Sequence, residues 1–251
     1  VTEPLRVISL GWGVQSFALA AMSALGVLPP VDAAVHADTT HERSETYAFA
    51  ARWTPWLEER GVRVVTVKAR DPSVTREWGN TPGLMIPAFT TYPDGRPSGT
   101  TRRQCTRDWK IRPIRQWLQK NRDGAQVEMW IGITLDEWTR MRDSDVQYIA
   151  NRYPFMEMDP AWRRGKAASW LAMKGLEIPP KSRCKWCPFQ ARDDWRATQL
   201  HDDGGDWQEC VRVDQLIRHH RPGFVAYLLS QCQPLESVDL RNQQDHGQLE
   251  L

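Results

Sequence analysis

At 251 residues, the chain amounts to about 1.7 domains of ordinary size, which predicts one α/β domain with an appendage or two small domains. Its 41% hydrophobic and 25% charged residues exclude wholesale disorder, collagen-like order and a disulfide scaffold. A formal net charge of +2 supplies no global field for non-specific nucleic-acid binding, so any such binding must be local. No apolar run approaches the roughly 18 residues of a bilayer span. Val1 to Leu10 shows no signal-peptide cleavage pattern, so a cytoplasmic protein without a membrane partner is expected. Five cysteines in such a chain point to metal or redox chemistry before structural disulfides. The thirteen Trp read first as core or interface anchors.

In chain order, Leu5 to Leu10 predicts a short buried strand running into Gly11-Trp12-Gly13-Val14-Gln15-Ser16, then an Ala-rich helix from Phe17 to Leu25 stopped by Gly26. Val31 to His36 predicts a second strand closing on Asp38-Thr39-Thr40-His41-Glu42. A helix over Ser44 to Arg60 stops at Gly61, and Val62 to Val67 is a β-branched third strand. Strands separated by helices pair in parallel through crossovers, and ligands then sit at the carboxyl ends of the strands. Asp71 to Gln104 dissolves into Pro, Gly, Thr and Arg, a loop region of a length that is more often functional or mobile than decorative. A basic helix over Lys110 to Lys120, a fourth strand over Val127 to Ile133 and a helix over Ala161 to Lys174 follow. Beyond Arg183-Cys184-Lys185-Trp186-Cys187-Pro188 the chain reads as helical to about Leu229. The polar tail from Gln233 to Leu251 is expected to be partly disordered. The expected organisation is an α/β domain over 1–150, a helical and cysteine-containing region over 151–232, and a tail over 233–251.

Several segments combine chemistry. Between Ser9 and Ser16 a strand end meets a helix start, where N–H groups and the helix dipole favour an anion and glycine lets backbone approach phosphate. The loop has neither the Gly-Lys-Ser/Thr ending of a Walker loop nor a full dinucleotide fingerprint. Asp38, with Thr39 and Glu42, lies at a strand end beside this loop and reads as either a Mg²⁺-associated carboxylate or a helix cap. Cys105 stands among Arg102, Arg103, Arg107, Lys110, Arg112 and Arg115, surroundings that lower a thiol pKa and attract polyphosphate. Cys184 and Cys187 form a CxxC knuckle whose thiolates can converge on one metal. The knuckle reads as redox-active, as two ligands of a zinc ion with two further ligands, or as joining Cys105 to give three thiolates for an iron–sulfur cluster. Cys210 and Cys232 read as buried packing residues in helices. Gly132-Ile133-Thr134-Leu135-Asp136-Glu137 follows the fourth strand, its acids reading as first-turn helix residues in isolation.

In this order the segments resemble the phosphoadenosine phosphosulfate (PAPS) reductase-like family of the adenine-nucleotide alpha-hydrolase, or PP-loop ATP pyrophosphatase, superfamily. The resemblance spans roughly residues 5 to 190. The family's glycine loop falls on Gly11 to Ser16 and its Asp-Thr strand end on Asp38, Thr39 and Glu42. Its Cys-x-x-x-x-Lys-x-x-Pro segment falls on Cys105, Lys110 and Pro113. Its Gly-Ile/Val-Arg-x-x-Glu-Ser segment falls on Gly132, Ile133 and Glu137, and its CxxC on Cys184 and Cys187. Trp12, Gln15, Thr134 and Trp138 depart from the pattern, Gln104 replaces the first cysteine of a Cys-Cys pair, and no Glu-Cys-Gly-Leu-His segment follows Cys187. The Cys-Thr-x-x-x-Lys-Ile-x-Pro run is similar to the sulfurtransferase subunit of DNA phosphorothioation systems.

The resemblance implies a Rossmann-like parallel sheet flanked by helices, with a C-terminal helical, cysteine-containing extension. It implies an ATP pyrophosphatase that adenylylates an acceptor for sulfur incorporation. Asp38, Cys105 and Lys110 would be catalytic. Ser9, Gly11, Gly13, Val14, Gln15, Ser16, Asp38, Thr39, Glu42, Gly132 and Glu137 would bind ATP and Mg²⁺, and Cys105, Cys184 and Cys187 would hold a [4Fe–4S] cluster, or zinc. Implied partners are a nucleic-acid acceptor met by the arginines between Arg96 and Arg115, a cysteine desulfurase or other sulfur donor, and a second copy of the chain. Two other readings stand beside this one: a reductase of adenylyl sulfate or PAPS, and a non-catalytic nucleotide-binding subunit with structural zinc.

Overall fold

The computed structural model describes residues 3–202 and 205–242, the side chain of Trp78 excepted. In chain order it contains β1 (Leu5–Ser9), α1 (Val14–Ala24), β2 (Ala33–Asp38), α2 (Ser44–Glu58) and β3 (Val64–Lys68). Then come four short strands, β4 (Thr75–Trp78), β5 (Thr81–Leu84), β6 (Phe89–Thr91) and β7 (Pro97–Thr100). A π-helical turn (Thr106–Ile111) leads into α3 (Arg112–Asn121) and β8 (Val127–Trp130). A 3-10 segment (Leu135–Arg140), β9 (Ile149–Arg152), α4 (Pro154–Glu157), α5 (Arg164–Met173), α6 (Arg192–Leu200), α7 (Asp206–Arg218) and β10 (Val225–Tyr227) complete the order. No helix of the described residues is long and apolar enough to cross a membrane.

The chain forms two compact units, each built from two stretches of sequence. The first takes the residues up to Arg70 and Asp108–Ser182; the second takes Asp71–Arg107 and the described residues from Arg183 onward. This differs from the linear division expected at residue 150, because β9 pairs with β8 and so continues the first unit's sheet across that point.

The first unit is an α/β layer structure around a five-stranded parallel sheet in the order β3-β2-β1-β8-β9. Alternation along each strand serves two cores. Ile8, Ala34 and Trp130 pack with Phe17, Phe49 and Trp170 on the α1, α2 and α5 side. Val7, Val35, Val127 and Met129 pack with Leu118 and Ile114 on the α3 side. The parallel α/β class expected from the sequence is therefore the observed one. After β3 the chain returns to the other side of β1, so the strand order reverses between β1 and β8. In open parallel sheets the loops diverge at such a switch point and leave a crevice at the carboxyl ends.

The second unit holds the antiparallel sheet β10-β6-β7, the β4–β5 hairpin, α6 and α7. Short strands thus occupy much of the expected loop over Asp71 to Gln104, and β10 interrupts the expected helical run to Leu229. Cys210 is buried on α7, as its helical setting suggested. Cys232 is not helical: it follows a turn with φ of 53°. Of the tail expected from Gln233, the part through Asn242 packs in place. Leu235 and Leu240 are buried, and Gln199 bonds Val238 O and Leu240 N. The remainder, 243–251, lies outside the described residues.

Candidate functional site

The glycine loop is held from three sides. Leu10 N donates to Val35 O at 2.9 Å, fastening the end of β1 to β2. The His36 imidazole donates through Nδ1 to Leu10 O at 3.0 Å. Burial presses the His36 pKa below its ordinary value, which suits a neutral ring in this role. Trp12 turns through a left-handed conformation (φ 57°) and buries its indole against Phe17, Phe49 and His36. The departure of Trp12 from the family loop is thus a core anchor. The Ser16 hydroxyl accepts from Gly11 N at 3.0 Å and donates to Gly13 O at 3.3 Å. It shapes the loop from within.

Gly13 enters α1 in an extended conformation with no side-chain cap and no acidic residue in the first turn. The first N–H groups of a helix have no intrahelical acceptor, so those of Val14, Gln15 and Ser16 are suited to an anion. Val14 itself is core, buried at the sheet. Gly132, from the loop after β8, packs directly on this turn. A Cβ there would lie 2.9 Å from Gln15 C, Gln15 Cβ and Ser16 N. Ser182 comes against the loop as well, since a Cβ on Gly13 would lie 3.4 Å from its Cβ. No spacing in the sequence pointed to Ser182. Ser9 faces elsewhere: with Ile114, Met129, Ile131 and Asn151 it lines a cavity of about 280 Å³ on the α3 side.

At the end of β2, Asp38 spends both oxygens on protein donors. Oδ1 accepts from Thr40 N and the Tyr47 hydroxyl, each at 2.7 Å, and Oδ2 lies 3.0 Å from Lys68 Nζ. Lys68 is its register partner across β2–β3. Asp38 does not cap α2, whose N-cap is Arg43. Sequence reasoning missed Tyr47 and Lys68; the β2–β3 register was the signal for Lys68. Burial presses the Asp38 carboxyl upward, but Tyr47, Thr40 N–H and Lys68 together hold it below the usual carboxylate range. Burial, and then Asp38 itself, push the Tyr47 hydroxyl well up. The depressed pKa means that this stabilisation is fully present above the unfolded carboxylate pKa of about 4. It is lost as pH falls through the folded value. Asp38→Asn should accordingly lower the melting temperature at neutral pH, with the gap to wild type closing below about pH 4. A gap that stays constant with pH would show that these contacts do not stabilise the fold.

Glu42 differs from Asp38. It is 1% exposed, and Oε1 accepts from Lys110 Nζ at 3.0 Å and Thr39 Oγ1 at 3.3 Å. Oε2 is buried with no hydrogen-bond partner, as is the Thr46 hydroxyl. A buried unpaired carboxylate oxygen costs free energy unless something arrives to use it. One free carboxylate oxygen suits Mg²⁺, which takes one or two carboxylates alongside phosphate oxygens. The structure thus joins Glu42 to Thr39 and Lys110 and leaves one oxygen of this carboxylate, one of the two the sequence assigned to Mg²⁺ or nucleotide, without a hydrogen-bond partner.

Glu137, expected to bind nucleotide, and its neighbour Asp136 both pair with arginines. Asp136 accepts from Arg164 N at 2.6 Å and Arg163 Nη1 at 3.0 Å, fastening the start of α5. Glu137 pairs with Arg140 at 2.8 Å on the surface. In the basic segment, Arg112 pairs with Asp108 at 3.1 Å and Arg115 with Asp145.

Cys105, Cys184 and Cys187 all belong to the second unit, and none of the five cysteines forms a disulfide. Cys105 N bonds Met85 O at 2.9 Å. Cys184 and Cys187 bracket a turn closed by Cys187 N to Cys184 O at 3.1 Å, over a buried Trp186. Flanking ion pairs join Arg183 to Asp194 at 2.8 Å and Lys185 to Asp206 at 3.0 Å. Among the described residues no three His, Cys, Asp or Glu side chains are gathered as a metal-ligand set.

Fold and site together define an open parallel α/β protein with a glycine loop and helix N-terminus at the switch-point crevice, flanked by a buried Glu42 paired with a partly exposed Lys110. Comparison with solved structures finds similarity to a crystal structure of PAPS reductase from Candida auris in complex with phosphate. The TM-score is 0.46 at 10% identity, covering 71% of this chain and 76% of that one. No family model and no curated protein matches the chain.

Proposed function

We propose that this protein is an adenine-nucleotide enzyme of the ATP pyrophosphatase kind, which transfers the adenylyl group of ATP to an oxygen of a nucleic-acid acceptor and so prepares it for sulfur. The observation that supports this most is the uncapped first turn of α1, wedged by Gly132 in a crevice where phosphate is the natural ligand. The acceptor and sulfur halves are supported by the resemblance of the sequence segments.

In this reading the N–H groups of Val14, Gln15 and Ser16 take the charge of the phosphates, and Gly11 and Gly13 let the backbone come close. Lys110, partly exposed and held 3.0 Å from Glu42, turns its ammonium toward the charge that develops on pyrophosphate. Glu42 Oε2 would hold Mg²⁺ brought with the nucleotide, an ion that would supply charge neutralisation for the phosphates. The acceptor oxygen forms a bond to the α-phosphorus as the α–β bridging bond breaks and pyrophosphate leaves. The adenylylated oxygen then departs with AMP when a sulfur nucleophile from a separate donor attacks.

Incubation with ATP and Mg²⁺, with and without oligonucleotide, should yield AMP and pyrophosphate rather than ADP and phosphate. Lys110→Ala should lower that turnover by about 10²-fold, the scale of one lost charge-stabilising donor. Intact ATP under both conditions would overturn the proposal in favour of a nucleotide-binding subunit.

A further inference from the structure

Two aromatic rings and two guanidinium groups meet at one end of the small sheet in the second unit. The β6–β10 pairing sets Thr91 opposite Val225, so the next residues out, Tyr92 and Phe224, meet with ring centroids 5.6 Å apart at 35°. The Arg96 guanidinium lies 5.3 Å over Tyr92, and Arg221 lies 5.1 Å over Phe224. Arg221 and Phe224 also line a groove of about 200 Å³ that carries the hydroxyls of Thr90, Ser98 and Thr100. At the other end of β6, the exposed Phe189 stands edge-on to Phe89 at 6.4 Å with Arg103 5.8 Å from its centroid. From Phe89 to Arg107 the chain holds four Arg against the single Asp94.

Accessible rings, Tyr92 exposed and Phe224 half-buried, interleaved with guanidinium groups suit one chemistry above others. Nucleobases stack on aromatic faces whatever their sequence, and arginine serves both the stack and the phosphates between bases. A duplex hides the base faces that such a surface uses. We propose that this end of the sheet binds single-stranded nucleic acid, with bases on Tyr92 and Phe224 and phosphates on Arg96, Arg221 and the groove hydroxyls. The surface rests on the acceptor half of the proposed function and is separable from its nucleotide half.

The test is fluorescence anisotropy of the full chain, without ATP, on a labelled mixed-sequence DNA strand of about 20 nucleotides and on its duplex. Tyr92→Ala should weaken single-strand binding about tenfold, the scale of one lost stack, and Tyr92→Phe should retain it. Arg221→Gln should weaken binding and reduce the salt slope by about one. Turnover of ATP alone should be unchanged in Tyr92→Ala. The proposal is overturned by no strand binding, by wild-type affinity in both Tyr92→Ala and Arg221→Gln, or by tighter binding of the duplex. Strand binding lost in these variants, in a protein that leaves ATP intact, would support the surface while removing the nucleotide half.

Discussion

Gly132→Ala should cost about 10²-fold in ATP turnover, on the scale by which small misplacements of reacting groups slow enzymes. The added methyl would lie 2.9 Å from Gln15 C, Gln15 Cβ and Ser16 N, two of which are backbone atoms that no rotamer change can remove. Either the first turn of α1 shifts or the loop after β8 does. Ser16 N is among the proposed phosphate donors, so the shift falls on the site itself. Overpacking of this kind also costs about 1–3 kcal/mol, readable as a lowered melting temperature. Gly165→Ala is the matched control: it lies in the first turn of α5 and nothing stands within 4 Å of its Cβ, so turnover and melting temperature should stay at or slightly above wild type. Wild-type turnover in Gly132→Ala would remove the first turn of α1 from the phosphate site.

Asp214→Ala should destabilise the protein by about 3–5 kcal/mol, the cost of removing one member of a buried ion pair. Asp214, on α7, is fully buried and its two oxygens accept from Leu228 N at 2.8 Å and Leu235 N at 3.1 Å. Arg218 bonds the same carboxylate, pairs with Glu236 at 2.6 Å and lies over Tyr227. One carboxylate therefore fastens the residue after β10 and the segment around Leu235 to α7. Its loss leaves two buried N–H groups without an acceptor and a mostly buried guanidinium half paired. Denaturant unfolding measures the loss. Asp214→Asn, which keeps one acceptor, should lie between Ala and wild type. A wild-type midpoint for Asp214→Ala would show that α7 and the segment around Leu235 are held by apolar packing alone.

Legibility followed the range of the interactions. The β1–loop–α1 start, β2, α2 and β3 were readable because each has its period and its stop within a dozen residues: an apolar run, an Ala-rich stretch, Gly26 and Gly61 at the ends. β9 was missed because Ile149-Ala150-Asn151-Arg152 is four residues with a polar half, and it becomes a strand by pairing with β8. β10 was read as helix for the same reason: Val225-Ala226-Tyr227 has no period of its own and is held by β6. Within the site, the glycine loop and the Asp38–Glu42 segment were legible as a neighbourhood. The roles inside it were not.

By itself the sequence determined the alternation that builds a parallel α/β layer and the glycines that let a strand turn into a helix. It also determined the local charge balance along the arginine-rich segment. Those properties depend on neighbours a few residues away, where backbone geometry and side-chain period decide. Only the tertiary structure decided that Asp38 is saturated by Tyr47 and Lys68 while Glu42 keeps a free oxygen beside Lys110. It also decided that Gly132 wedges α1 and that Tyr92 meets Phe224. Each of these joins side chains or backbone from separate segments, and burial determines which partners remain once water is gone.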